Sequence, residues 1–316
     1  MILHDSVFII EFILRLGYMV SRPDQLLRDP LMDEPCLMNT VKDDLFTLLE
    51  NQLPYFILEK LFGLLLPTIP PYKSLRQMII SLFGFTDKIS NNSTFKHFTD
   101  LIRCVRVETL PDFAPGTWIG HIKHMYNMEK LNSGGVKFEA VENDFSLCVR
   151  FDNGCLKIPC LTVYDELEMT LRNIMALEQC HYPKSAHVCN YVIFLDHLID
   201  TDKDVNLLVE KGIIQNHIGE HRLVAEMVNK LCLGIRFCGS YYSDIAAAVN
   251  NYYRDPFNRS HAVLKSVYFG NLWTGTGTVA AMLLLLMTLI QTVASIIQKE
   301  ENLVLANEFL TTNQVK

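Results

Sequence analysis

Several common functional signatures are missing from this chain of 316 residues. No G-x-S-x-G occurs, so there is no nucleophile elbow of the hydrolase kind. No glycine-rich loop has the spacing that cradles phosphate; Gly275-Thr276-Gly277-Thr278 instead opens an apolar run. No Lys/Arg block exists, and the net charge is -7 with a pI of about 5.8. That balance excludes general nucleic-acid binding, which leans on a basic surface. No proline-rich tract or internal repeat interrupts the chain, so neither disorder nor a solenoid describes it. The nine cysteines are irregularly spaced and none forms a CxxC pair. A disulfide scaffold is short and cysteine-dense, so the reading is reduced, mostly buried thiols in a cytosolic compartment.

What is present is apolar residue in quantity, 49% of the chain. At roughly 100 to 200 residues per domain, the length allows one large domain or two small ones. The opening MILHDSVFIIEFILRLGY is apolar but interrupted by Asp5, Glu11 and Arg15. It reads as a helix burying Val7, Ile10, Ile13 and Leu14, not as a signal h-region. Residues 21–40, with Pro23, Pro30 and Pro35, read as a loop. Leu45, Leu48, Leu49, Phe56, Ile57, Leu61, Leu64 and Leu65 follow at helical spacings, and Pro54 breaks the run into two helices. Residues 75–85 and 94–107 predict short helices, and 109–128 a mobile loop.

The period then changes. VKFEAV (136–141), SLCVRFD (146–152) and CLKIPCLTV (155–163) alternate apolar and polar residues. With Asn143-Asp144 and Asp152-Asn153-Gly154 as turns, they predict a small antiparallel meander. Helices resume over 165–178, 188–198, 202–211, 221–233 and 240–253. Thr201 and Asp204 are spaced to cap the third of these, and Gly212 to end it. The expected fold class is mainly α with a small antiparallel β meander: a helical globular domain over 1–265 with a β insert near 135–163.

Between Ser266 and Gln298 no residue is charged. The core of that run, 275–297, reaches ~35 Å as a helix, enough for a ~30 Å hydrocarbon layer. Gln291 is its one strongly polar side chain; Tyr268 and Trp273 stand where interfacial aromatics belong, and Lys299 marks the far edge. The reading is one transmembrane helix over 275–297 and a short tail over 298–316: a single-pass, tail-anchored layout with the bulk facing the cytosol. Arg254, Arg259 and Lys265 on the near side against Lys299 and Lys316 agree with it. In the opposite topology the sequons at Asn91, Asn92 and Asn258 would face outward.

Chemistry-bearing clusters are sparse. His217-Ile218-Gly219-Glu220-His221 matches H-x-x-E-H, an inverted zinc-peptidase pattern. Zinc would need both histidines on one helical face and a third protein ligand. Gly219 weakens a helix there, and Glu220 serves equally as first-turn charge for the next helix. His121 and His124 lie beside Trp118; Cys180 and His181 precede His187 and Cys189; Cys148, Cys155 and Cys160 fall in the sheet. None has a standard metal spacing. No catalytic, cofactor-binding or metal residue is assigned, and no cofactor is expected. The leading reading is a non-enzymatic interaction, recognition or signalling protein, its partners a lipid bilayer and a protein. The alternative is a membrane-bound metal-dependent hydrolase using His217, Glu220 and His221.

The segment from Leu48 to Phe56, LLENQLPYF, resembles the hallmark of the plant domain-of-unknown-function 247 family. DSVFIIEF (5–12), GVKFEA (135–140), NGCLKIPCLTV (153–163), LRNIMALEQC (171–180), YVIFLDHLIDTDKDVNLLVEKGII (191–214), VNNYY (249–253) and YFGNLW (268–273) follow in the family's order. The resemblance implies a plant protein anchored by its C-terminal helix, with no established catalytic activity. It implies a role class in which some members are linked to self-incompatibility recognition in grasses and others to growth or stress responses. The chain departs from the pattern in beginning almost at DSVFIIEF, and in carrying Phe257, Ser260, His261 and Leu272 where members tend to show tryptophan and proline.

Overall fold

Helical spacing of apolar residues builds most of the molecule. The computed structural model describes residues 2–21, 30–48, 52–65, 74–85, 89, 93–108, 110, 120–142, 146–236, 239–264 and 272–313. Helix α1 (Ile2–Ser21) buries Ile9, Ile10, Phe12, Ile13, Leu14 and Leu16 on one face. Val7 lies on the other face, 55% exposed, contrary to the expectation for it. The buried position one turn from the start is Ser6, whose hydroxyl donates to the Ile2 carbonyl at 2.7 Å.

Proline placement corrects the loop expected over 21–40. Pro30 opens α2 (Pro30–Asp33) and Pro35 opens α3 (Pro35–Thr47). A first-turn residue needs no amide hydrogen and benefits from proline's fixed φ, so proline starts helices as readily as it stops them. Residues 22–29, including Pro23, lie outside the described residues, as do Leu49 to Asn51. Pro54 does separate two helices. Helix α4 (Tyr55–Leu65) starts directly after it and buries Tyr55, Leu58 and Phe62, while Phe56, Leu64 and Leu65 are exposed. Helix α5 (Leu75–Leu82) is capped by Ser74, whose Oγ accepts from the Gln77 amide at 3.2 Å. Helix α6 (Phe98–Val107) follows.

The segment 120–127 has no regular structure but is pinned. Asn250 accepts from the Tyr126 amide at 3.2 Å and donates to the His124 carbonyl at 2.7 Å. Helix α7 (Met128–Ser133) leads to β1 (Lys137–Val141), β2 (Arg150–Asp152), β3 (Cys155–Pro159) and β4 (Leu161–Val163).

The first sheet is mixed, in the order β1-β3-β2. β2 and β3 form a hairpin: Asn153 (φ 50) and Gly154 (φ 75) both adopt the left-handed conformation that a two-residue turn of this twist requires. Gly154 is doubly constrained, since a Cβ there would fall 2.5 Å from the Tyr252 ring. β1 pairs with β3 in parallel, Phe138 opposite Leu156, so the strands do not form the antiparallel meander that the alternation suggested. Pro159 ends β3. Beyond it the Cys160 amide reaches back to the Val141 carbonyl at 2.9 Å. β4 then joins a second, two-stranded parallel sheet with β5 (Ile214–Asn216).

Helices α8 (Leu167–His181), α9 (His187–Leu198), α10 (Asp202–Glu210), α11 (His221–Leu231) and α12 (Ser243–Arg254) complete this part. Helix α9 buries Val188 to Leu195 without a break, as expected of a helix enclosed on every side. Helices α6, α8 and α11 pack on it, placing the core around it. The fold is thus mainly α with two small sheets.

The chain divides into two compact units, residues 1–132 with 136–253, and residues 133–135 with 254–316. In the second, α13 (Pro256–Val263) again starts with proline, and the Asp255 carboxylate accepts from the Phe257 amide at 2.9 Å. Helix α14 (Leu272–Asn313) is one continuous element of 42 residues. It runs through the stretch expected as a short tail.

Candidate functional site

The H-x-x-E-H residues do not share a helix. His217 follows β5, its amide donating to the Val163 carbonyl at 2.8 Å; Gly219 turns the chain at φ 93; Glu220 is the N-cap residue of α11 and His221 its first residue. The motif works in metallopeptidases because two imidazoles one turn apart converge on one ion. Here a turn stands between them. His217 and Glu220 are exposed, Glu220 lies 3.4 Å from Arg222, and His221 borders a separate small pocket with Glu129 and Asp202.

His121 and His124 are both exposed, and the His124 ring packs edge-on against Tyr126; Trp118 and Cys238 lie outside the described residues. Cys180 and His181 end α8, while His187 and Cys189 begin α9. Of the described cysteines, only Cys160 and Cys189 are buried, fewer than expected, and all eight are free thiols. Among the described residues no group of three or more His, Cys, Asp or Glu side chains is placed to hold a metal ion.

The structure does form a cleft, of about 670 Å³, where the start of α4 meets the segment before α6. Pro54, Tyr55 and Phe56 line one side, Arg76 of α5 and Phe95 to His97 the other, and His181 comes from α8. The walls combine aromatic faces with charge of both signs, Glu59 as well as Arg76 and Lys96. Tyr55 and Phe95 have ring centroids 4.4 Å apart, and the Arg76 guanidinium stands 5.3 Å over the Phe95 ring. The Ser93 hydroxyl here donates to the Glu108 carboxylate at 2.9 Å, and no histidine hydrogen-bonds to it among the described residues. The cleft offers stacking and charge rather than an activated nucleophile.

Gln52 fixes one wall from behind. Its side-chain nitrogen donates to the Leu45 and Leu48 carbonyls at 3.0 and 2.7 Å, closing the end of α3, and its oxygen accepts from the Thr99 amide at 2.8 Å, capping α6. One carboxamide thus satisfies orphan groups at two helix ends. His97 is the N-cap of α6: its Nδ1 accepts from the Asp100 amide at 3.3 Å. Burial lowers its pKa, against an opposing pull from Asp100.

Beneath the cleft lies a buried ionic cluster. Arg103 Nε donates to Glu178 at 3.1 Å, and its NH2 nitrogen donates to the Ser185 carbonyl at 2.9 Å. Its guanidinium lies 3.8 Å over the Tyr182 ring. The Tyr182 hydroxyl donates to Asp100 at 2.9 Å, and the Lys96 amide donates to the same carboxylate oxygen. Glu178 also accepts from the Val188 and Cys189 amides, at 3.2 and 2.9 Å, so one carboxylate closes the turn between α8 and α9. Burial pushes the Glu178 pKa up, and the Cys189 and Val188 amides with Arg103 oppose it. Burial and the bond to Asp100 raise Tyr182 to about 12.

Residues 1–287 match the family described as DUF247, plant protein of unknown function. The chain belongs to this family. A UPF0481 protein of Arabidopsis thaliana is 26% identical over 93% of this chain and 68% of its own length. A putative UPF0481 protein of the same plant is 26% identical over 52% of this chain and 32% of its own length. No solved structure matches the chain.

For this DUF247 chain, sequence reasoning missed Arg103, Asp100 and Glu178, whose spacing resembles ordinary helix-surface charge. Their only signal was a charged side chain on an otherwise buried face: Asp100 and Arg103 lie among Phe98, Leu101, Ile102 and Val105.

His187 carries a pH dependence. Its ring stacks on Tyr241 with centroids 4.2 Å apart, and burial, with the nearby Arg103 charge, lowers its pKa to about 4. An unfolded histidine titrates near 6.5. Between those values the unfolded chain binds a proton that the folded chain refuses, so stability falls on acidification. The loss should reach about 2 kcal/mol by pH 5. Thermal melts of the full chain in detergent from pH 7.5 to 5 measure it. A His187→Phe variant, which keeps the stack, should show a flatter slope; an unchanged slope would assign the dependence elsewhere.

Proposed function

We propose that this protein is a non-enzymatic interaction protein, held at a plant membrane by α14 as a single-pass anchor. The observation that carries the proposal is the uncovered apolar span. From Gly275 to Glu300 the helix has 26 residues of mean hydropathy 2.2, and among the described residues none of its most apolar 18-residue stretch is buried. Leu284 and Leu285 are 68% and 69% exposed. Water would penalise such a helix over its whole length; a bilayer covers it and leaves its backbone bonds internal. A buried core helix would instead show contacts on at least one face.

The bulk then acts in the cytosol on a protein partner, and the aromatic and charged cleft beside α4 is the surface offered for recognition. The turn between His217 and His221 supports this reading over a hydrolase. Family membership names no reaction.

The test is fractionation from plant cells with both ends tagged. The full chain should stay with membranes through alkaline carbonate, and a chain ending at 271 should move to the soluble fraction. In sealed microsomes a protease should reach the N-terminal tag and spare the C-terminal one. Release of the full chain by carbonate would overturn the anchoring; a protected, glycosylated bulk would reverse the topology.

A further inference from the structure

We infer that α13 lies on the bilayer beside the near end of the span, with Phe257 and Leu264 set into an anionic leaflet. The inference rests on the anchoring proposed above. Phe257 is 78% exposed and Leu264, directly after α13, is 45% exposed. Seven residues apart, they fall within about 20° of each other around a helix. Positions Ser260 and His261 fall between them, and Pro256, Asn258, Arg259, Ala262 and Val263 fall on the other side. The two large apolar groups thus share one side, and Arg259 is exposed on the other. Helices that lie in the membrane interface divide in this way, with Phe and Leu toward the acyl chains and cations at the headgroups.

The chain itself brings the bilayer to this helix. Only residues 265–271 separate Leu264 from α14, and fully extended they reach ~30 Å. Trp273, in the first turn of α14, is 86% exposed, as an aromatic at the edge of a span should be. A free helix of eight residues with two apolar anchors would hold a membrane weakly. Tethered to a span, the contact is intramolecular, with an effective concentration on the order of mM, so little affinity is needed.

Charge selects the leaflet. On the near flank Arg254, Arg259 and Lys265 outnumber Asp255, whereas beyond the span Glu300, Glu301 and Glu308 outnumber Lys299 and Lys316. The Asp255 carboxylate is engaged by the Phe257 amide. Arg259 forms no ion pair among the described residues. A surface of phosphatidylserine complements the near flank, and each basic residue close to it adds to the attraction.

The test replaces Phe257 with tryptophan in full chains that also carry Trp118→Phe and Trp273→Phe, which leaves one indole. The chains are reconstituted in phosphatidylcholine vesicles with or without phosphatidylserine, and quenching by lipids brominated on their acyl chains is read. Quenching should be stronger, and emission bluer, with phosphatidylserine. Adding Arg259→Gln should lower the ratio of docked to undocked helix about fivefold, and Leu264→Ser should also reduce quenching. An indole quenched in neither vesicle, in chains that resist alkaline carbonate, overturns the docking alone. Bluer emission without quenching would place residue 257 against protein and also overturn it. Equal quenching in both vesicles overturns the anionic leaflet. Chains stripped from the vesicles by carbonate overturn the anchoring and the docking together.

Discussion

Replacing Arg103 with methionine is expected to destabilise the first unit by about 3–5 kcal/mol, because it strands the Glu178 carboxylate in the interior. Both side chains are nearly or fully enclosed, 7% and 0% exposed. The guanidinium also satisfies the Ser185 carbonyl and covers the Tyr182 ring. Methionine fills much of the volume but supplies none of these contacts. At a few degrees per kcal/mol for a unit this size, the Tm should drop by about 10 °C. A second change tests the cause. In Arg103→Met with Glu178→Gln the stranded charge is gone, while the amide oxygen can still accept from one of the two backbone amides, Val188 and Cys189, which bond different carboxylate oxygens. The double variant should recover more than half of the loss, a coupling that independent sites do not show.

The pH dependence of the single variant follows from the same charge. Burial already raises the Glu178 pKa, and removing Arg103 takes away one of the interactions that opposes the rise. A carboxyl whose folded pKa exceeds its unfolded value favours folding below the unfolded pKa and loses that contribution as pH rises through the folded one. Arg103→Met should therefore be least destabilised in acid and most destabilised at neutral pH. Equal loss at pH 4.5 and 7.5 would mean that packing, not charge, sets the effect.

This cluster shows where sequence reading stops. Arg103 and Glu178 are 75 residues apart, and each belongs to a helix whose pattern allows a surface charge. Pairing is a tertiary fact that no local period records. The sheet fails for a similar reason. Alternation in VKFEAV and CLKIPCLTV identifies strands, since successive side chains face opposite sides in either kind of sheet. It does not say whether β1 meets β3 parallel or antiparallel. Local chemistry, by contrast, was readable. Asn153-Gly154 specified its turn through left-handed φ, and the uncharged run after Ser266 specified α14. The prolines at 30 and 35 misled because proline excludes a helix interior but suits its first turn. In α4 the apolar residues outnumber the positions one face can bury, so periodicity assigned Phe56, Leu64 and Leu65 to a core that Leu58 and Phe62 already fill. The cleft beside them was visible only as the Pro54-Tyr55-Phe56 segment, with nothing to say that α5 and α8 would close around it.

The Thr201 and Asp204 pair was legible as a cap, and the structure makes it more than one. The Asp204 side chain is fully buried and accepts from the Asp200 amide at 3.1 Å, the Thr201 amide at 2.9 Å and the Thr201 hydroxyl at 3.1 Å. It also accepts from the Glu129 amide at 2.8 Å and the Asn127 side chain at 3.3 Å. One carboxylate therefore closes the start of α10 and the start of α7, Glu129 and Asp204 standing 75 residues apart in the sequence. Asp204→Ala removes the cap and leaves the Glu129 and Asp200 amides without their acceptor. Cap loss alone costs up to about 2 kcal/mol, and each stranded buried donor adds about 1–3 kcal/mol. The expected destabilisation is about 3–5 kcal/mol, with faster amide exchange at Glu129 and Thr201 than elsewhere in the unit. Asp204→Asn keeps one acceptor but turns an NH2 group toward donors, so it should fall between alanine and wild type. A melting temperature for Asp204→Ala within 2 °C of wild type, a margin set by about 1 kcal/mol for a unit this size, would show that water replaces the carboxylate and that α7 is held by its apolar contacts instead.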